Sequence, residues 1–392
     1  MTIRRIDGID PATGDVLEIE ADARIQGIRR RRTDRPLDLP LLAPGLVDLQ
    51  VNGFAGHDVN AEDPSPEAII AIARSLALRG VTSWVPTVVT ASEERIIAAL
   101  RAVERACAMD PATAAAIPFS HVEGPFLSAQ DGPRGVHDPA QIRPADAAEV
   151  ARWQRAGRVG YVTLSPHGAD APQQIARIVA SGTAVAIGHT HASPEQIRAA
   201  VDAGAELSTH LGNGIFPQLP RHPNPIWEQL AESRLSCGFI ADGHHLPMAA
   251  LRSMLQAVGR GRAYLVSDCV ELAGSTPGTY ITPVGGEVEL SSTGRLSYAG
   301  TALLAGAAKD LAGGAEVLVH AGLGVDEVLD LASRTPGRII RGLLPATDGH
   351  AGPEGRERPR VGDLRVGAAA DLVHLDRAGR VQGVVRGGRP LP

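Results

Sequence analysis

Short apolar runs alternate with amphipathic stretches over most of this chain, and the pattern is clearest between residues 183 and 213. Residues 183–187 read as a buried strand bounded by Gly182 and Gly188, residues 205–208 as a second, and the two runs lead to His189 and His210. Ser193 followed by Pro194 marks a helix start, Ile197, Ala200 and Val201 give that helix an apolar face, and Gly204 ends it. The stretch is predicted to be a βαβ unit. In a parallel sheet or barrel both imidazoles then emerge at the C-terminal edge, where such folds place their chemistry.

The same alternation continues on both sides. Strands are expected at residues 46–51, 81–85, 117–122, 159–164, 236–240 and 263–266, with helical periodicity over 66–79 and 91–106. With the pair already described this makes eight strands alternating with helices over about 300 residues, the pattern of an α/β fold of (β/α)8 barrel type. The ends differ. Residues 3–6, 16–19 and 23–28, with a turn from Asp10 to Asp15, and residues 370–375 and 381–385, joined by a turn over 376–379, read as short strands. The two ends are expected to pair into one small β-domain, a β-sandwich of residues 1–43 and 358–392 attached to a barrel of residues 44–357. Residues 349–359, rich in Gly, Pro and charge, read as a surface loop.

Composition changes this picture little. At 392 residues and 44% hydrophobic content the chain can bury a large core, and its net charge of −6 gives no reason to expect nucleic acid as a partner. The arginines from Arg29 to Arg32 read as a solvated strand edge. Cys107, Cys237 and Cys269 show no CxxC spacing and fit a reducing compartment. The N-terminal MTIRRIDGID lacks the apolar core of a signal peptide and no apolar run reaches membrane-spanning length, so a cytoplasmic protein is expected.

Lined up by strand, the rim carries Glu123 after strand three, His189 after five, His210 after six, His245 after seven and Asp268 after eight. One carboxylate and two imidazoles form a three-ligand site with an open position, suited to one divalent ion, Zn²⁺ first and Fe²⁺, Co²⁺ or Mn²⁺ otherwise. Such an ion lowers the pKa of a water, leaving Asp268 to act as base and His245 to donate to an oxyanion. Each residue has a plainer reading, since a histidine after a strand often makes a structural hydrogen bond and an acidic residue there often caps the next helix. That plainer reading is kept for His167, His191, His320 and His374; Asp268 could be a fourth ligand, and His121 a core or supporting partner.

PGLVDLQVNG, HVEGPFLS, GHTHAS, THLGN, ADGHH and LVSD, in this order, resemble the amidohydrolase superfamily and, within it, the N-acetylglucosamine-6-phosphate deacetylases, over nearly the whole chain. Where many amidohydrolases carry His-x-His after strand one, this chain has Gln50 and Asn52, as in deacetylases with a single metal. Its sole lysine, Lys309, lies beyond strand eight, so the carboxylated-lysine bridge of binuclear relatives is not available. The resemblance implies that Glu123, His189 and His210 bind the metal, with Gln50 close by to hold a water, and that Gln50, Asn52 and His245 are among the substrate-binding residues. Asp268 would deprotonate the water and then protonate the departing amine, and His245 would steady the oxyanion. His137, Asn213 and Gly214 would contact the sugar phosphate. Arg221 would reach the phosphate from a neighbouring subunit, which implies a homodimer. Phe126, Phe216 and Trp227 are the candidate rings for stacking on a sugar.

Two stretches depart from the family pattern, the one around LGNGIFPQLP and the one reading CVELAGSTPGTY, and both are expected to line the pocket. They touch substrate identity more than reaction, so the galactosamine epimer stays an alternative. Two others remain: a cyclic amidase or deaminase using the same rim, and a non-catalytic metabolite-binding barrel, which would need no tightly held metal.

Overall fold

The computed structural model describes residues 3–32, 38–282, 286–344 and 360–392. Eight parallel strands follow one another around a barrel: Leu46–Val51, Val81–Val89, Ser120–Glu123, Val159–Leu164, Ala184–Ile187, Leu207–Ser208, Ser236–Ile240 and Ala263–Val266. The last strand meets the first through the Val51–Cys269 bridge and the bond from the Asp268 amide to the Gln50 carbonyl, 2.9 Å. These strands are continuous apolar runs because both of their faces are covered, the outer by helices and the inner by barrel core. Inside, Val47, Leu49, Val85, Phe119, Tyr161, Ala186, Tyr264 and Val266 are buried together. Gly160 is required there, since a Cβ on it would lie 2.2 Å from the Phe119 ring.

Helix Pro194–Asp202 follows its local code. Ser193 Oγ accepts from the Gln196 amide, the Gln196 side chain accepts from the Ser193 amide, and Ile197, Ala200 and Val201 are buried. The third strand begins at Ser120, three residues later than its apolar run predicts. Pro118 has no amide to give a ladder, and a short helix, Pro111–Ala116, occupies the approach.

The chain ends meet in one seven-stranded sheet in which Leu41–Pro44 pairs antiparallel with Leu372–Leu375. Ile6, Leu17, Ile19, Ile25, Leu42, Leu372 and Val385 form a cluster of their own beneath it. Its edge strand, Ile25–Arg31, carries the arginine run, and Glu18 pairs with Arg5 and Arg31 while Arg30 pairs with Asp10. The second expected domain boundary, at residue 357, and the expected loop over 349–359 lie outside the described residues.

One element goes beyond the sequence expectation. After the eighth strand, Gly278–Thr282, Gly286–Leu290, Arg295–Tyr298 and Leu304–Ala307 form a four-stranded antiparallel sheet. Leu272, Val288, Leu290 and Leu296 make its small core.

Candidate active site

The C-terminal ends of the barrel strands open into a cavity of about 940 Å³, lined among others by Asn52, Glu123, His137, His189, His210, Asn213, Gly214, His245 and Asp268. Glu123, at the last position of its strand, is buried and its Oε1 lies 3.0 Å from His210 Nε2 and 3.4 Å from His189 Nε2. The two Nε2 atoms are 3.2 Å apart. One oxygen and two imidazole nitrogens, mutually within 4.8 Å, make a donor set that could hold a metal ion. The His189 ring supports that fit, while His210 Nδ1 is buried without a hydrogen-bond partner among the described residues. His189 Nδ1 donates to the Pro133 carbonyl at 2.8 Å, which leaves the Nε2 lone pair aimed at the cluster. Gly214 lies against the same ring, since a Cβ there would stand 2.8 Å from Nδ1.

Charge is concentrated here. Burial would raise Glu123, but the hydrogen bonds from His189 and His210 overcome it and hold the carboxyl well below its usual range. Burial likewise opposes the charged form of His210, and the Glu123 carboxylate outweighs it, pushing His210 up to about 9. Burial and the neighbouring Glu123 charge raise Asp268.

Asp268 is held by the residues that replace the His-x-His pair. Gln50 Nε2 donates to its Oδ1 at 3.0 Å and Asn52 Nδ2 at 2.7 Å, and Oδ2 has no hydrogen bond among the described residues. Gln50 is buried beneath the cavity rather than on its wall. His245 is oriented by Asp242, whose Oδ2 accepts from Nδ1 at 2.7 Å while Oδ1 caps the His244 and His245 amides. Burial opposes that carboxylate, yet the bond and charge of His245 bring Asp242 down to about 2.

His189, His210 and Asp268 share a backbone peculiarity, with φ of 47°, 25° and 52°. Left-handed backbone at a non-glycine residue costs on the order of 1–3 kcal/mol and gathers at functional sites.

The other sequence candidates separate clearly. His137 packs its ring edge-on to His189, centroids 4.4 Å apart, and burial pushes it down to about 3. Asn213 Nδ2 donates to the His210 carbonyl at 3.1 Å. Arg221 is exposed and off the cavity wall of its own chain. His121 is a core residue, bonded through its two nitrogens to Thr87 and Thr163 and stacked on Tyr161 at 4.0 Å. His167, His191, His320 and His374 all make structural hydrogen bonds, to Ser165, Ser128, the Glu316 carbonyl and the Asp7 carbonyl. The stacking candidates are not on the wall: Phe126 is buried against Trp153, and neither Phe216 nor Trp227 lines the cavity. Tyr298 and Arg134 do line it. Tyr298 comes from the unpredicted sheet, and Arg134 stands three residues before His137 in the loop after the third strand.

An eight-stranded parallel barrel joined to a sheet of both chain ends, with Glu, His, His and Asp at the C-terminal rim, is the barrel and rim expected of the family the motifs resemble. No family model matches the chain. It is 32% identical over 365 residues to the N-acetylgalactosamine-6-phosphate deacetylase of Escherichia coli O157:H7, covering 92% of this chain and 89% of that one. It is also 32% identical to the N-acetylglucosamine-6-phosphate deacetylase of Bos taurus, covering 86% and 80%. Among solved structures, the N-acetyl-D-glucosamine-6-phosphate deacetylase of Mycobacterium smegmatis superposes with a TM-score of 0.82 at 29% identity, over 100% of each chain. The chain belongs to the N-acetyl amino sugar 6-phosphate deacetylase family.

Proposed function

We propose that this chain hydrolyses the acetamide of an N-acetylated amino sugar phosphate, taking N-acetylglucosamine-6-phosphate to glucosamine-6-phosphate and acetate. The observation that carries the reading is the meeting of the Glu123, His189 and His210 cluster with Asp268 and His245 on one cavity, in a chain of this family. Glu123, His189 and His210 would hold one divalent ion, zinc by preference for this mixed nitrogen and oxygen set. Such an ion supplies Lewis acidity, easing both water ionisation and polarisation of the acetyl carbonyl.

The chain's own groups do the rest. Asp268, its Oδ1 fixed by Gln50 and Asn52, takes a proton from the attacking water as the new C–O bond forms. A carboxylate raised by burial is a better base for this than an exposed one. His245, pinned through Nδ1 to Asp242, directs Nε2 at the oxygen that becomes anionic. As the C–N bond breaks, Asp268 returns its proton to the departing amine. His137, Asn213 and Gly214 contact the sugar phosphate. Arg221, exposed on its own chain, reaches the phosphate of a partner's substrate in a homodimer, and the enzyme works in the cytoplasm.

Acetate release by the zinc-loaded protein tests this, with N-acetylglucosamine-6-phosphate, its galactosamine epimer and unphosphorylated N-acetylglucosamine side by side. Release from the first at the highest kcat/KM is expected, and no release from any of them overturns the reading. The epimer is a true second candidate, because the relative matching 92% of this chain is named for it.

A further inference from the structure

The interior of a (β/α)8 barrel is ordinarily filled by branched apolar side chains, and much of this one follows that rule with Val47, Leu49, Val85, Leu207 and Val266. The residues one or two positions before Glu123, His189 and His210 do not: they are His121, Gly188 and Thr209.

Strand pleating puts His121 on the same side of its strand as Glu123, and Thr163 stands opposite Glu123 on the next strand. His121 Nε2 meets Thr163 Oγ1 at 2.8 Å, and Thr163 Oγ1 meets Thr209 Oγ1 at 2.6 Å. His121 Nδ1 meets Thr87 Oγ1 at 3.2 Å, and that hydroxyl accepts from the Val51 amide at 3.2 Å. One line of hydrogen bonds therefore joins strands one, two, three and four to the residue after strand six. A neutral imidazole has one donor and one acceptor, which suits it to stand between two hydroxyls. Thr87, His121, Thr163 and Thr209 are all buried, so each depends on protein partners.

The line crosses strand five without a side chain. Thr163 and Thr209 reach each other over Gly188, where a Cβ would lie 2.7 Å from Thr163 Cγ2 and 2.9 Å from Thr209 Cβ. Gly188 is followed by His189, and Thr209 by His210. The shortest bond in the line thus clamps the backbone just before each histidine, and His121 ties that clamp to the strand that ends in Glu123. Apolar side chains would fill the same space, but hydrogen bonds are directional and hold the strand ends at fixed separations.

We propose that the line from His121 through Thr163 to Thr209, closed over Gly188, is the positioning device of the metal site. It sets the spacing of the Glu123, His189 and His210 donor atoms, and with it the affinity and coordination geometry of the ion. The inference rests on the metal-holding role proposed for those three residues and not on the identity of the substrate.

Titration of the metal-free full chain with Co²⁺ against a competing chelator, with the visible spectrum of the cobalt-loaded protein, tests it without turnover. Thr163→Val keeps the volume and removes the hydroxyl at the centre of the line. It should weaken Co²⁺ binding on the order of 10-fold, the lower end for groups that orient a metal's ligands, and shift the cobalt d–d bands. Thr163→Ser keeps the hydroxyl and should restore affinity and spectrum to near wild type. Thr209→Val removes only the last bond and should move both in the same direction by less; it decides the matter if Thr163→Val does not fold by circular dichroism. A role in stability alone would lower the melting temperature of the metal-free variants and leave their Co²⁺ affinity and spectrum as in the wild type, which overturns the inference. Absence of Co²⁺ binding by the wild-type protein overturns the metal reading and this inference together. Weakened Co²⁺ binding in the valine variants of a protein that releases no acetate would uphold the inference and sink the deacetylase reading alone.

Discussion

Asp268 is a half-buried carboxylate and Asp48 a fully buried one, separated by what touches them. Asp268 faces the cavity with two donors on one oxygen, so Asp268→Asn should keep wild-type metal content, by metal analysis, while kcat falls on the order of 10²- to 10⁴-fold. Near-normal turnover would remove Asp268 from the reaction. His189→Ala should instead lose metal binding itself. Asp48 lies deeper, accepting from the Ser267 and Gln50 amides on Oδ1 while Oδ2 is buried without a partner, and burial lifts it from 3.8 to about 7. The folded state therefore holds this proton where the unfolded chain has released it, and stability from this residue falls as pH rises between about 4 and 7. Asp48→Asn should gain on wild type over that interval, by up to roughly 4 kcal/mol less the cost of one unpaired amide, in urea denaturation at pH 4 and pH 8. A difference that does not grow with pH would refute this. The reacting residues were legible because each closely follows a strand and carries a chemically distinctive side chain. Arg134 was not, because an arginine in a loop carries no period and only folding brings it to the cavity.

At the scale of elements, the helix between the two histidine-bearing strands is the most local structure in the chain. Ser193→Ala should cost about 1 kcal/mol of stability in denaturant titration and leave metal content unchanged, since it removes a cap and touches no site residue. Its limits were readable for the same reason: Ser193 and Pro194 at its start and Gly204 at its end act within one turn. The strands were readable as apolar runs but their ends were not, as at Ser120, where a proline upstream sets the start of the ladder. The four-stranded sheet escaped because its alternation is weak: Val288 and Leu290 are buried, while Tyr280 is only half-buried and Ile281 is exposed. Its signal, the alternating GEVEL before a Thr-Gly turn, is one short strand long.

For the whole molecule, one strand's last residue, Glu123, and two histidines each two residues past a strand, His189 and His210, would tie distant parts of the barrel together through one ion. A bound metal favours only the folded state, so chelation should lower the melting temperature of the wild-type protein and leave that of His189→Ala unmoved. Equal responses would place the metal elsewhere. The pairing of the chain ends was legible in outline because both read as short strands around turns, whereas its register, Leu41 opposite Leu375, is set only by contact across more than three hundred residues. The left-handed backbone at His189, His210 and Asp268 has a consequence for evolution of the fold. Those three corners are conformations that glycine or asparagine adopts more easily than histidine or aspartate. A lineage released from selection for catalysis could therefore grow sturdier by losing these side chains, and this barrel persists in its present form only while its chemistry is being selected.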